Sequence, residues 1–191
     1  MVKTRLLLIC GSVRAGSTNA AVLNTAGQLL PDGVTAEIYD GLGELPHFNP
    51  DDDGDEPPAA VARLRAAIAN ADALLFCTPE YAGALPGSLK NLLDWTVGGG
   101  QTYGKPVAWI NASWASTRAA GAHAELRTVL AYTATVIVEA ACAEIPVGRP
   151  DVADDQTVRD EQLRQRIAAS VDALVAAARQ ASPGCEAPSS S

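Results

Sequence analysis

Runs of consecutive apolar residues alternate along this chain with stretches in which apolar residues recur every three or four positions. RLLLIC (5–10) is such a run, and it predicts a parallel strand covered on both faces, which has no polar side to show. Residues 17–30 follow with Val22, Leu23, Leu29 and Leu30 on one helical stripe, ended by Pro31, Asp32 and Gly33. VTAEIYD (34–40) alternates like a second strand, 41–58 is a loop rich in Gly, Pro and Asp, and 59–70 reads as a helix. DALLFC (72–77) is a third strand, and 87–95 a short helix with Pro86 at its first turn. PVAWINA (106–112) and TATVIVE (133–139) give the fourth and fifth strands, separated by a helix over 120–131. A last amphipathic helix over 158–179 carries Leu163, Ile167, Val171, Leu174 and Val175 at helical spacing.

Strand and helix thus alternate five times, the order that builds a parallel α/β sheet. Five strands without a long insertion predict a flavodoxin-like doubly wound fold of strand order 2-1-3-4-5, with helices on both faces and a switch point between strands 1 and 3. Ligands of such sheets sit at the carboxyl ends of the strands beside that point. Here those ends are GSVRAGSTN (11–19) and TPEYAGALPG (78–87). A chain of 191 residues suits one domain, assigned to 1–181, with the small, polar and aperiodic SPGCEAPSSS (182–191) as a frayed tail.

Charge and composition narrow the partners. The formal charge is −8 and no stretch gathers basic residues into a stripe, which argues against nucleic acid. No apolar stretch approaches the length of a membrane span. The start MVKTRLLLIC has too short an apolar run for a secretory leader, and Ile9 is too large to precede a cleavage site. Cys10, Cys77, Cys142 and Cys185 form no C-x-x-C pair, and the histidines are His47 and His123 alone, so neither a metal site nor a disulfide scaffold is expected. A cytoplasmic protein follows as the default.

The loop at 11–19 has the Gly-to-Gly spacing of a nucleotide P-loop, but Ser17 stands where the lysine belongs. A tyrosine-phosphatase loop also fails, since five residues must separate its Cys and Arg, and that position from Cys10 is Gly16. GLGELP (41–46) lacks the third Gly of a dinucleotide fingerprint, and NPDDDG (49–54) opens like a calcium loop whose twelfth position is Ala60. A monophosphate site remains for 11–19, with hydroxyls from Ser12, Ser17 and Thr18, N–H groups at a helix start and the charge of Arg14. The plain alternative is that Ser17 merely caps the helix.

GSVRAGSTN resembles the G-S-x-R-x-x-S-x-N loop of the NADPH-dependent FMN reductases, the group that includes bacterial chromate, quinone and azo-dye reductases. PEYAGALPGSLKNLLDW (79–95) is similar to that family's P-E-Y-N-x-x-x-P-G-x-L-K-N-x-x-D-W segment. The resemblance implies bound FMN, a homodimer or homotetramer, and a small-molecule electron acceptor. It places the FMN phosphate on Ser12, Arg14, Ser17, Thr18 and Asn19, and the isoalloxazine against Pro79, Glu80, Tyr81, Ala82 and Gly83, largely through backbone. Ala82 stands where the family has Asn, and the loop 111–121 lacks the family's Gly-Gly, with Ser113 and Trp114 in the corresponding place. The expected cycle is ping-pong: NADPH, or NADH, passes hydride to N5 of FMN and leaves, and a quinone, azo compound, metal oxyanion or free flavin takes its place. No side chain need act as acid or base, and His123 is read as a solvated or interface residue, Cys10 and Cys77 as small core residues. Loops 40–58 and 96–104 are expected to set acceptor specificity. The competing reading is a flavodoxin-type electron carrier with a protein partner, which the acidic charge would suit.

Overall fold

In the computed structural model, residues 3–114 and 119–181 are described. The predicted tail and residues 115–118 of the third loop lie outside them. The strands are β1 (Thr4–Cys10), β2 (Val34–Tyr39), β3 (Ala73–Cys77), β4 (Pro106–Asn111), β5 (Val136–Ile137) and β6 (Ala143–Glu144). The helices are α1 (Thr18–Gln28), α2 (Ala59–Asn70), α3 (Gly87–Asp94), α4 (Ala120–Tyr132) and α5 (Glu161–Ala181). All ladders are parallel, in the order β2-β1-β3-β4-β5, with β6 also paired to β4. This is the predicted doubly wound sheet.

The apolar runs serve two faces at once because successive side chains of a strand point oppositely. Leu6, Leu8, Leu75, Ala108 and Ile110 pack with Val22 and Leu23 of α1 and with Ile167, Val171 and Leu174 of α5. Leu7, Ile9, Leu74, Phe76 and Val107 face the other way, onto Val61, Leu64 and Ile68 of α2, Leu89 and Leu92 of α3, and Leu126 and Leu130 of α4. Each layer therefore needs only one apolar stripe per helix, while each central strand needs both sides apolar.

The fifth strand departs from the prediction. Thr133 and Thr135 turn their hydroxyls onto the Leu130 carbonyl, at 3.0 and 2.8 Å, and Ala134 takes a left-handed φ of 55°. The first three residues of TATVIVE are thus consumed in closing α4, a competition to which Thr side chains are prone. Only Val136 and Ile137 then pair with Pro106 and Val107 before a 3-10 turn (Glu139–Ala141) interrupts the strand. Pairing resumes as β6, where Ala143 and Glu144 register with Ile110 and Asn111. α5 likewise begins at Glu161 rather than 158, because the Val158 N–H is held by the Thr25 hydroxyl at 2.8 Å and Asp160 caps the helix through the Leu163 N–H.

Candidate active site

Cys10 and Cys77 are direct neighbours in the β1–β3 register, so the loops that follow them leave the sheet side by side. Their approach is close: a Cβ at Gly11 would come within 2.2 Å of Thr78 Oγ1. Beyond them opens a cleft of about 610 Å³ lined from three sides. Ser12, Arg14, Gly16, Ser17, Thr18 and Asn19 come from the loop after β1, Thr78 to Tyr81 from the loop after β3, and Ala112, Ser113, Trp114 and Ala119 from the region after β4.

The half of the cleft that follows β1 is built around the start of α1. Gly16 adopts φ 64°, a conformation open to glycine at little cost, and this turns the chain so that Ser17 caps the helix through the Ala20 N–H at 3.1 Å. The N–H groups of Thr18 and Asn19 find no acceptor among the described residues, as the first turn of any helix dictates. They point outward at the positive end of the helix dipole, where an anion is favoured. The Arg14 backbone N–H donates to Ser12 Oγ at 3.3 Å, and its guanidinium has no partner among the described residues. The set fits a phosphate: two free N–H donors, hydroxyls and an uncommitted cation. Asn19 is more buried, with its Oδ1 accepting from Cys77 Sγ at 3.3 Å. Burial pushes the Cys77 thiol up and raises Cys10 as well, which agrees with packing rather than redox roles.

The second loop is anchored by two carboxylates. Glu80 accepts from the Ala122 N–H at 3.0 Å and Glu125 of α4 accepts from the Leu85 N–H at 2.6 Å. Ala119, the residue before α4, has φ 64° and no capping side chain, so Glu80 supplies the cap from another element. The two elements nearly touch, since a Cβ at Gly121 would lie 2.3 Å from the Gly83 carbonyl oxygen. With its carboxylate so engaged, Glu80 presents mainly backbone and stem to the cleft. Ala82 and Gly83 lie in the turn outside the lining, with φ 53° and 78°. The left-handed conformation at 82 gives a backbone reason for Asn in the resembling segment, because Asn tolerates that region better than Ala.

The remaining ten nominated residues, from Ser12 to Trp114, are brought together in this one cleft. Tyr81 is 57% exposed and Trp114 67%, so the aromatics at its rim leave its mouth open. No residue of loops 40–58 or 96–104 lines it; the Pro46 carbonyl instead accepts from Trp95 Nε1 at 2.8 Å. Val147, Gly148 and Arg149, after β6, complete the lining and had no motif to mark them. His123 is neither solvated nor at a surface: it is 7% exposed beside Trp109, with Nδ1 at 2.6 Å from the Ala119 carbonyl. Burial lowers its pKa, and its Nε2 is buried with no partner among the described residues.

Residues 4–147 match the NADPH-dependent FMN reductase family. An NAD(P)H-dependent FMN reductase of Pseudomonas aeruginosa is 41% identical over 130 residues, 67% of this chain and 70% of the relative. A quinone reductase of Pseudomonas putida is 32% identical over 174 residues, 86% and 89% of the two chains. The solved structure of FerB, a flavoenzyme NAD(P)H:(acceptor) oxidoreductase from Paracoccus denitrificans, superposes with a TM-score of 0.82 at 32% identity, covering 93% of this chain and 98% of its own. With three quarters of its length in that match, the chain belongs to the NADPH-dependent FMN reductase family of oxidoreductases.

Proposed function

We propose that this protein holds FMN in the cleft at the carboxyl ends of β1, β3 and β4 and carries reducing equivalents from NADPH, or NADH, to a small acceptor, with quinones as the favoured class. The observation that carries the proposal is the anion site at the start of α1: the free N–H groups of Thr18 and Asn19 beside the uncommitted Arg14 guanidinium. Bound FMN would supply the two-electron chemistry, with hydride arriving and leaving at N5.

The chain's own residues bind and orient. Ser12, Arg14, Ser17, Thr18 and Asn19 hold the phosphate, with Ser17 also fixing the helix start that presents the N–H groups. Pro79, Glu80 and Tyr81, with the Ala82-Gly83 turn behind them, offer backbone to the polar edge of the ring, held in place by the contacts of Glu80 and Glu125. Tyr81, Ser113 and Trp114 border the open mouth through which donor and acceptor come in turn, which is the geometric basis for a ping-pong order. No acid or base is needed at the mouth, and His123, whose ring is buried, is not asked to serve as one.

The test is anaerobic mixing of FMN-loaded protein with NADPH, and separately NADH, while the flavin absorbance is followed. Saturable bleaching, and reoxidation by a quinone at a rate independent of the donor used, is the expected result. A flavin that stays oxidised with both donors would overturn the proposal and favour the flavodoxin-type carrier.

A further inference from the structure

Arginines in this acidic chain are mostly committed. Arg63, Arg65, Arg127 and Arg164 pair with Glu44, Asp53, Glu139 and Glu161, and Arg159, Arg166 and Arg179 donate to backbone carbonyls. Among the described residues, the guanidiniums without a partner are those of Arg5, Arg14 and Arg149. Two of these three, Arg14 and Arg149, line the same cleft.

Arg149 stands on a fixed mount. Before it, the Val147 N–H donates to the Ala112 carbonyl at 3.1 Å, tying the segment to the end of β4. The adjacent Gly148 N–H is held by Asp151 Oδ2 at 2.8 Å, and the Asp151 carbonyl accepts from the Arg159 N–H at 2.9 Å. Asp151, the nearest carboxylate in sequence, is thus spent on backbone and leaves the guanidinium unneutralised. Arg14, by contrast, sits on the loop after β1, where with the N–H groups of Thr18 and Asn19 it already meets the needs of one phosphate. A second uncommitted guanidinium, brought in on a different segment, calls for a second anionic group.

We infer that Arg149 binds a phosphate of the nicotinamide dinucleotide, its pyrophosphate or the 2′-phosphate of NADPH, and so sets the affinity of this chain for its electron donor. The inference rests on the function proposed above, in which that dinucleotide is the second polyanion to enter the cleft. The planar fork of Arg grips a phosphate by two hydrogen bonds, and an exposed rim position limits the gain to about tenfold in affinity.

The test is calorimetric titration of the FMN-loaded protein with 2′,5′-ADP and with ADP, as mimics of the two phosphate positions. It uses wild type, Arg149→Ala and Arg149→Lys, and is accompanied by steady-state kinetics with NADPH and NADH. Arg149→Ala should weaken at least one probe about tenfold and raise the corresponding KM rather than lower kcat, with Arg149→Lys between the two and FMN affinity held. Loss confined to 2′,5′-ADP and NADPH assigns the 2′-phosphate; loss with both probes and both donors assigns the pyrophosphate. Unchanged binding of both probes, or a loss of FMN affinity in place of donor affinity, overturns the inference. A wild-type protein that binds FMN but turns over neither donor would instead be a failure of the proposed function, visible before any variant is made.

Discussion

Glu80 shows how a side chain of a cleft loop can matter by holding a neighbouring element in place. Its carboxylate is the cap that α4 lacks, since the residue before that helix is Ala119 and offers no acceptor. Glu80→Ala should therefore cost about 1 kcal/mol of stability, the usual worth of an N-cap, with Glu80→Gln losing less because its amide oxygen still accepts. Urea unfolding of the three proteins measures this, and equal stabilities would remove the capping role. The cleft wall at the start of α1 was legible because Gly, Ser and Arg at fixed spacing after a buried strand state both the turn and the charge. The role of Glu80 was not, since its partner lies forty-two residues away and only tertiary packing brings the Gly83 carbonyl against Gly121. Arg149 was hidden for the same reason: no local pattern distinguishes a cleft arginine from a solvated one.

At the scale of the element, α4 couples burial to pH. His123 packs in its first turn with Nδ1 on the Ala119 carbonyl, which makes that nitrogen the donor and leaves Nε2 as a buried lone pair without a partner among the described residues. Desolvation outweighs the hydrogen bond to Ala119 and the pull of Glu144 and Glu80, and the folded pKa lies below the ordinary 6.5. A base whose pKa is depressed on folding stabilises the native state above its unfolded pKa, and that stability is lost as pH falls through the folded value. Stability should thus drop below about pH 6.5, by at most about 1.4 kcal/mol per pH unit from this group, and His123→Leu should flatten that limb. Chemical denaturation across this interval decides it; parallel pH profiles for the two proteins would mean that His123 is protonated at no cost. The elements themselves were largely legible, since fully apolar runs fixed β1, β3 and β4. The broken fifth strand was not, because TATVIVE has strand propensity throughout and only the closure of α4 by Thr133 and Thr135 diverts it.

For the molecule as a whole, the cleft concentrates what the rest of the fold avoids. The two halves of the core leave few apolar surfaces unpaired, and most of the described arginines are committed to carboxylates or backbone carbonyls, yet the mouth of the sheet gathers free N–H groups and two uncommitted guanidiniums within a chain of net charge −8. An anion held by these groups binds the folded chain and not the unfolded one, so ligand binding and folding stability are linked. At one hundred times its dissociation constant, FMN should add about 2.7 kcal/mol, which for a chain of this size is a rise in Tm of roughly 5–10 °C. Riboflavin, which lacks the phosphate, should give a much smaller rise at the same concentration. Arg14→Ala should erase most of the difference between the two flavins, since a charge-assisted hydrogen bond contributes about 1.5–3 kcal/mol. Thermal unfolding of wild type and Arg14→Ala, each with FMN, riboflavin or neither, separates the contribution of the phosphate from that of the ring. Equal shifts from both flavins in the wild type would detach the cleft at the start of α1 from the phosphate and require a different orientation of the cofactor.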